Sequence, residues 1–257
     1  MATESDAPVQ AVQAVLTASA VTSALAAVSN PADALGAARF FKSGPGEYGE
    51  GDVFIGVRMP ALRQVIKPFA GLPLAEVQLL LDSPIHEHRL AALLILVGQF
   101  ERASTLKTFD DSERTRLSGF YLTVVRAGRV NNWDLVDCSA PTLLGDYLFD
   151  RDRGVLFELA ASSILWERRV AMIATQGLIM RGDAATTLEL ASVLLPDRVD
   201  LMQKAAGWML REVGKRVDRA LLLEFLDAHA AERGRTALSY ATEHLAPELR
   251  VEYRARR

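Results

Sequence analysis

Trp133 and Asp137 stand four residues apart in the stretch Asn131-Asn132-Trp133-Asp134-Leu135-Val136-Asp137, near the middle of a 257-residue chain. On a helix this spacing puts both side chains on one face, one turn apart. An indole face beside a carboxylate suits a cation, or a group on which positive charge develops during a reaction. The ring attracts it through its quadrupole and the acid through its charge. A core tryptophan followed by a solvated acid has the same spacing, so these two residues alone leave both readings open.

Other reactive side chains carry less. Trp208 is flanked by Ala205, Ala206 and Gly207. Such a tryptophan ordinarily belongs to a core, although small neighbours also let another polymer's backbone come close. Arg168 and Arg169 read as a solvated helix face. His86 and His88 are two apart and diverge on a helix, whereas a metal pair needs three or four; no metal is expected. His229 and His244 are isolated. Cys138 follows Asp137 without an evident histidine partner and reads as a buried thiol rather than a nucleophile.

The elements that must position these residues are helices. A first spans about Pro8 to Val28, and Asn30-Pro31 caps and opens a second through Phe40 and Phe41. Ser43 to Gly56 holds five glycines and a proline and forces a structured loop. It lacks the Gly-Lys-Ser/Thr ending of a phosphate loop and no parallel-strand pattern surrounds it. Glu47 and Glu50 in this loop read as solvating side chains. Helices then follow without a break: Pro60 to Phe69, Pro73 to Leu81, His86 to Phe100, Ser112 to Arg126, Asn131 to Cys138, Pro141 to Phe149 and Val155 to Ser162. Leu165 to Met180, Asp183 to Leu195, Val199 to Lys215, Asp218 to Glu232 and Thr236 to Leu245 complete them. The tail, Arg250 to Arg257, carries four arginines. No run alternates as an exposed strand does. Paired helices starting near 131, 164 and 199 match the period of a helical solenoid, whose stacked pairs curve around one concave face; a globular bundle is the alternative.

With 50% hydrophobic residues the chain can bury a substantial core. One cysteine excludes an intrachain disulfide and fits a reducing compartment. No apolar run reaches the ~18 residues of a membrane span, and no Lys or Arg precedes Arg39 as a secretory signal requires. A cytoplasmic protein is expected. The net charge of -3 does not advertise a nucleic-acid binder. Residues 1–38 carry Glu4, Asp6 and Asp33 and no base, which leaves the remainder neutral and able to hold a basic face.

Four stretches go further than periodicity. Phe40-Phe41-Lys42-Ser43-Gly44-Pro45-Gly46-Glu47-Tyr48-Gly49-Glu50-Gly51-Asp52, Asn131 to Asp137 with Ser139-Ala140-Pro141, Trp166-Glu167-Arg168-Arg169, and Gln203-Lys204-Ala205-Ala206-Gly207-Trp208-Met209-Leu210-Arg211-Glu212 lie in that order. In them the chain resembles the AlkD family of alkylpurine DNA glycosylases, DNA alkylation repair proteins built from HEAT-like repeats, over about residues 39–250. The resemblance implies an all-α, HEAT-like solenoid whose concave face holds duplex DNA containing alkylated purines. One domain is expected over residues 1–257, with a variable helical extension over 1–30 and a basic tail over 250–257. Asp137 would be the catalytic carboxylate. Trp133 and Trp208 would pack against the deoxyribose, Arg169 would hold backbone phosphate beside the lesion, and Arg211 would contact the backbone. No cofactor, metal or membrane is implied, and a monomer is expected. The alternative is a helical-repeat protein that grips damaged DNA, or another protein, without cutting.

Overall fold

The structure, a computed structural model, describes residues 16–256. Pro8 to Val15, the start of the first expected helix, lies outside them. The described backbone is helical throughout, with one isolated parallel bridge between Val53 and Ile85. α1 (Ala18–Ala26) starts where Thr17 accepts the Ala20 amide. α2 (Pro31–Phe40) starts where Asn30 accepts the amides of Ala32 and Asp33, with Pro31 at the first helical position.

α3 (Met59–Ile66) runs into a 3-10 turn at Lys67–Phe69 and is followed by α4 (Leu74–Leu81), α5 (His86–Ala103) and α6 (Asp111–Arg126). α7 (Trp133–Asp137) is short. After it Pro141–Asp146, expected as an ordinary helix to Phe149, forms a wider π-helical turn. α8 (Gly154–Ala160), α9 (Leu165–Ile179), α10 (Ala185–Val193), α11 (Asp200–Arg216), α12 (Arg219–His229) and α13 (Arg235–Ala241) follow. The arginine-rich tail is itself a helix, α14 (Pro247–Ala255), seated on α13. Tyr253 buries its ring and donates to Asp227 at 3.0 Å, and Arg256 pairs with Asp227 and Glu252.

The helices form two layers. α5, the π-helical turn, α9, α11 and α13 lie each against the next. On the other side α4 and α6 pack on α5, α8 on α9, α10 on both α9 and α11, and α12 on α11. Each pair therefore buries its apolar face only against its neighbours, the arrangement of a helical-repeat fold. Leu93, Leu96, Tyr121, Leu135, Leu143, Ile173 and Met209 are fully buried along the seam, each leucine contributing about 2 kcal/mol of hydrophobic stabilisation.

Two joints in this seam depend on glycine. At Gly145 and Gly177 the π-helical turn meets α9 so closely that a Cβ on either would collide with the backbone opposite. Gly207 meets Ala237 and Tyr240 of α13 in the same way, and Ala205 and Ala206 are buried beside it. The small residues flanking Trp208 thus serve helix packing.

Candidate active site

α7 has five residues, too few for an isolated helix to persist, so its neighbours must hold it. Asn132, fully buried, accepts the Trp133 amide at 2.8 Å and donates to Asp52 at 3.0 Å. Asp134, in the first turn, reaches His86 Nε2 at 2.8 Å. Asp137 sits in the last turn, where the negative end of the helix dipole disfavours an acid. Arg169 of α9 offsets this: its Nε donates to Oδ1 at 3.0 Å, its Nη2 to Oδ2 at 2.8 Å, and its Nη1 to the Leu201 carbonyl of α11 at 2.7 Å.

The Asp137 side chain keeps 16% of its surface exposed while that of Arg169 keeps 5%. Burial pushes the Asp137 carboxyl above the ordinary aspartate range, and the Arg169 charge and hydrogen bonds oppose that shift. The arginine expected on phosphate therefore lies against the acid itself. Arg168, read as solvated, is also tied down, by Asp197 at 2.8 Å and the carbonyls of Ser162 and Ser163.

The Trp133 ring is held by an aromatic stack. It lies on Phe41 at 5.3 Å with Phe40 edge-on at 5.7 Å, and Phe41 continues to His86 at 4.9 Å and Phe54 at 5.3 Å. Tyr48 of the glycine-rich loop stands edge-on to Trp166 of α9 at 6.1 Å. Burial raises its phenol pKa, and a hydrogen bond from Trp133 and the charge of Lys204 offset part of that. The loop thus brings a third aromatic residue to the surface shared by α7, α9 and α11.

The first turn of α5 organises the loop. Glu87 accepts the amides of Ile55, Gly56 and Val57 at 2.8–3.3 Å. Gly56 has φ of 77°, and a side chain there would strike the backbone of Asn30 and Ala34. His86 and Arg89 both bind Asp52. Glu47 and Glu50 accept the amides of Gly44 and Gly46, each at 3.0 Å. They brace the loop rather than solvate it, because these tight turns leave amides that need acceptors. These loop amides are thus taken by the protein's own acids rather than left for a phosphate.

Trp208 is half-buried on α11, two turns beyond Leu201, and packs against the core. Arg211, one turn further, pairs with Glu243 and Glu212. The structure therefore joins Asp137 and Arg169 directly, puts Trp133 one turn from Asp137, and carries Trp208 and Arg211 on the helix that receives Arg169. Burial, with Asp134 and Asp137 nearby, pushes the Cys138 thiol far above its usual range, so it stays protonated and unreactive. No three His, Cys, Asp or Glu side chains are grouped for a metal among the described residues. No described helix is long and apolar enough to cross a membrane.

Comparison with known proteins decides the family. The model of the DNA alkylation repair enzyme family matches residues 21–245. The chain belongs to that family. No curated protein matches it. A solved structure described as a predicted DNA alkylation repair enzyme from Enterococcus faecalis has a TM-score of 0.65 at 17% identity, covering 85% of this chain and 97% of that one. At that identity the likeness establishes the shared fold of this family member and nothing finer.

Proposed function

We propose that this DNA alkylation repair enzyme is a glycosylase that hydrolyses the N-glycosidic bond of cationic N3- or N7-alkylated purines in duplex DNA. The observation that carries this reading is Asp137: a partly open carboxylate in the last turn of α7, gripped by Arg169 and one turn from Trp133.

An alkylated purine already bears positive charge. When the bond from its ring nitrogen to C1′ breaks, the electron pair returns to the base and neutralises it. No general acid is required, and positive charge passes to the sugar. A carboxylate fixed beside C1′ stabilises that charge, an effect worth on the order of 3 kcal/mol. Water then adds its oxygen to C1′ and gives up a proton, and the same carboxylate can orient it. Trp133 and Trp208 flank the deoxyribose in this reading.

Arg169 has two roles here. It holds the carboxylate in one orientation, and it also contacts backbone phosphate. A guanidinium has five N–H donors, and its bonds to Asp137 and Leu201 use three of them. Arg211 contacts the backbone further along α11. The enzyme acts without a cofactor and as a monomer.

The test is release of 7-methylguanine or 3-methyladenine from methylated duplex DNA by the wild type and by Asp137→Asn. Release by the wild type and a large loss in the variant are expected. Equal release removes Asp137 from its role. No release by either protein favours a repair protein that binds damaged duplex without cutting.

A further inference from the structure

The glycosylase reading assigns no task to His86, a titratable side chain held between two acids beside α7. It is 1% exposed. Nδ1 lies 3.1 Å from Asp52 Oδ2 and Nε2 lies 2.8 Å from Asp134 Oδ2. A neutral imidazole carries one N–H, so its other nitrogen would turn a lone pair toward a carboxylate oxygen. Only the imidazolium donates to both. Asp52 also binds Arg89 and Asn132, so the cluster holds two acids and two cations.

We propose that His86 is a positioning residue for the glycosylase reaction: as an imidazolium it ties α7 to the glycine-rich loop and so sets where Trp133 and Asp137 stand. This rests on the glycosylase reading. Two links carry the effect. Through Asp134 the imidazolium grips the first turn of the helix whose last turn ends in Asp137. Through the Phe41 ring, between His86 at 4.9 Å and Trp133 at 5.3 Å, it fixes the indole. Burial alone would make the ring easier to deprotonate; the hydrogen bonds and charges of Asp134 and Asp52 outweigh it and hold His86 at about 9. Above that pH the ring keeps one N–H between two carboxylates, and the cluster holds two acids against Arg89 alone.

The experiment uses the full chain. The 15N shifts of the His86 ring and the Trp133 indole N–H resonance are followed from pH 6 to 10.5, alongside single-turnover release of 7-methylguanine. The expected result is that His86 titrates near 9, that the Trp133 resonance moves with it, and that the release rate falls over the same range. His86→Gln and Asp134→Asn should each lose on the order of 100-fold in rate, bind an abasic-site duplex within about threefold of wild type, and show no alkaline limb. The proposal is overturned if His86 titrates near 6.5, if the Trp133 resonance ignores it, or if both variants keep the wild-type rate and pH profile. A wild type that releases no base removes the glycosylase reading and the catalytic role built on it, while the two resonances separately decide whether His86 holds α7 and Trp133 in place.

Discussion

Arg169 meets Asp137 side-on, with both carboxylate oxygens accepting from one guanidinium at 3.0 and 2.8 Å. The pair fixes the plane of the acid as well as its charge, which a lysine in the same place could not do. In Asp137→Asn the amide keeps the volume but loses the charge. Release of alkylpurine should fall on the order of 100-fold or more, with damaged-duplex affinity within a fewfold of wild type. Single-turnover excision with a parallel binding titration measures both.

The acid limb of the rate profile carries a second signature. In the proposed reaction Asp137 acts as its ionised form, so release should be lost as pH falls through the pKa of that group in the folded protein. Burial has raised that value above 3.8, so the limb should lie above the one an ordinary aspartate gives. A limb at or below 3.8 would contradict either the raised pKa or the control of the rate by Asp137.

Arg169→Ala should move that limb further up, because the cation that opposes the shift is gone. It also strips a largely buried acid of its partner, which costs on the order of 3 kcal/mol in stability. Urea denaturation reads the second effect. Damaged-duplex affinity measured across a salt series reads the phosphate contact, and wild-type affinity at every salt concentration would remove Arg169 from the backbone.

Stability should fall on the alkaline side. His86 is held at about 9 against an unfolded value of 6.5, so its contribution is complete below 6.5 and is lost as pH rises through 9. The amount is on the order of 3 kcal/mol, or roughly 10 °C in Tm for a chain of this size. Thermal denaturation between pH 6.5 and 10 checks this, and His86→Gln should flatten the curve. A wild type with constant Tm over that range contradicts it.

Gly177→Ala places a methyl group against the backbone of Pro141 and Asp146. Neither neighbour is the free end of a side chain, so the π-helical turn must shift. The expected loss is about 1–3 kcal/mol, read by denaturation, together with slower excision because that turn follows α7 directly.

The helices were legible because their signals are local. Asn30-Pro31 capped α2 as expected, and the apolar periodicity of α5 and α9 marked cores that are indeed buried. Trp133 and Asp137 share a helix turn, as their spacing required. The polar turn His86-Glu87-His88-Arg89 was not legible. The spacing of His86 and His88 bears only on metal binding, whereas the acids that hold His86 lie 34 and 48 residues away in sequence, and no periodicity relates residues that far apart. Glu87 likewise serves amides some thirty residues upstream. The one visible hint was four polar residues in a row opening an apolar helix, which makes sense only if they are buried with partners. The anchoring of Arg168 and Arg169 is hidden for the same reason: charge at a helix start looks solvated until distant residues supply an acid or a carbonyl.

α7 is grasped at both ends from different parts of the chain, by α5 through Asp134 and by α9 through Asp137. It therefore works as a keystone between the two flanks. The π-helical turn also joins α5 to α9, so a change in the angle between those helices is shared between that turn and α7. Such a change would strain both ion pairs, Asp134 with His86 and Asp137 with Arg169, and so displace the acid itself.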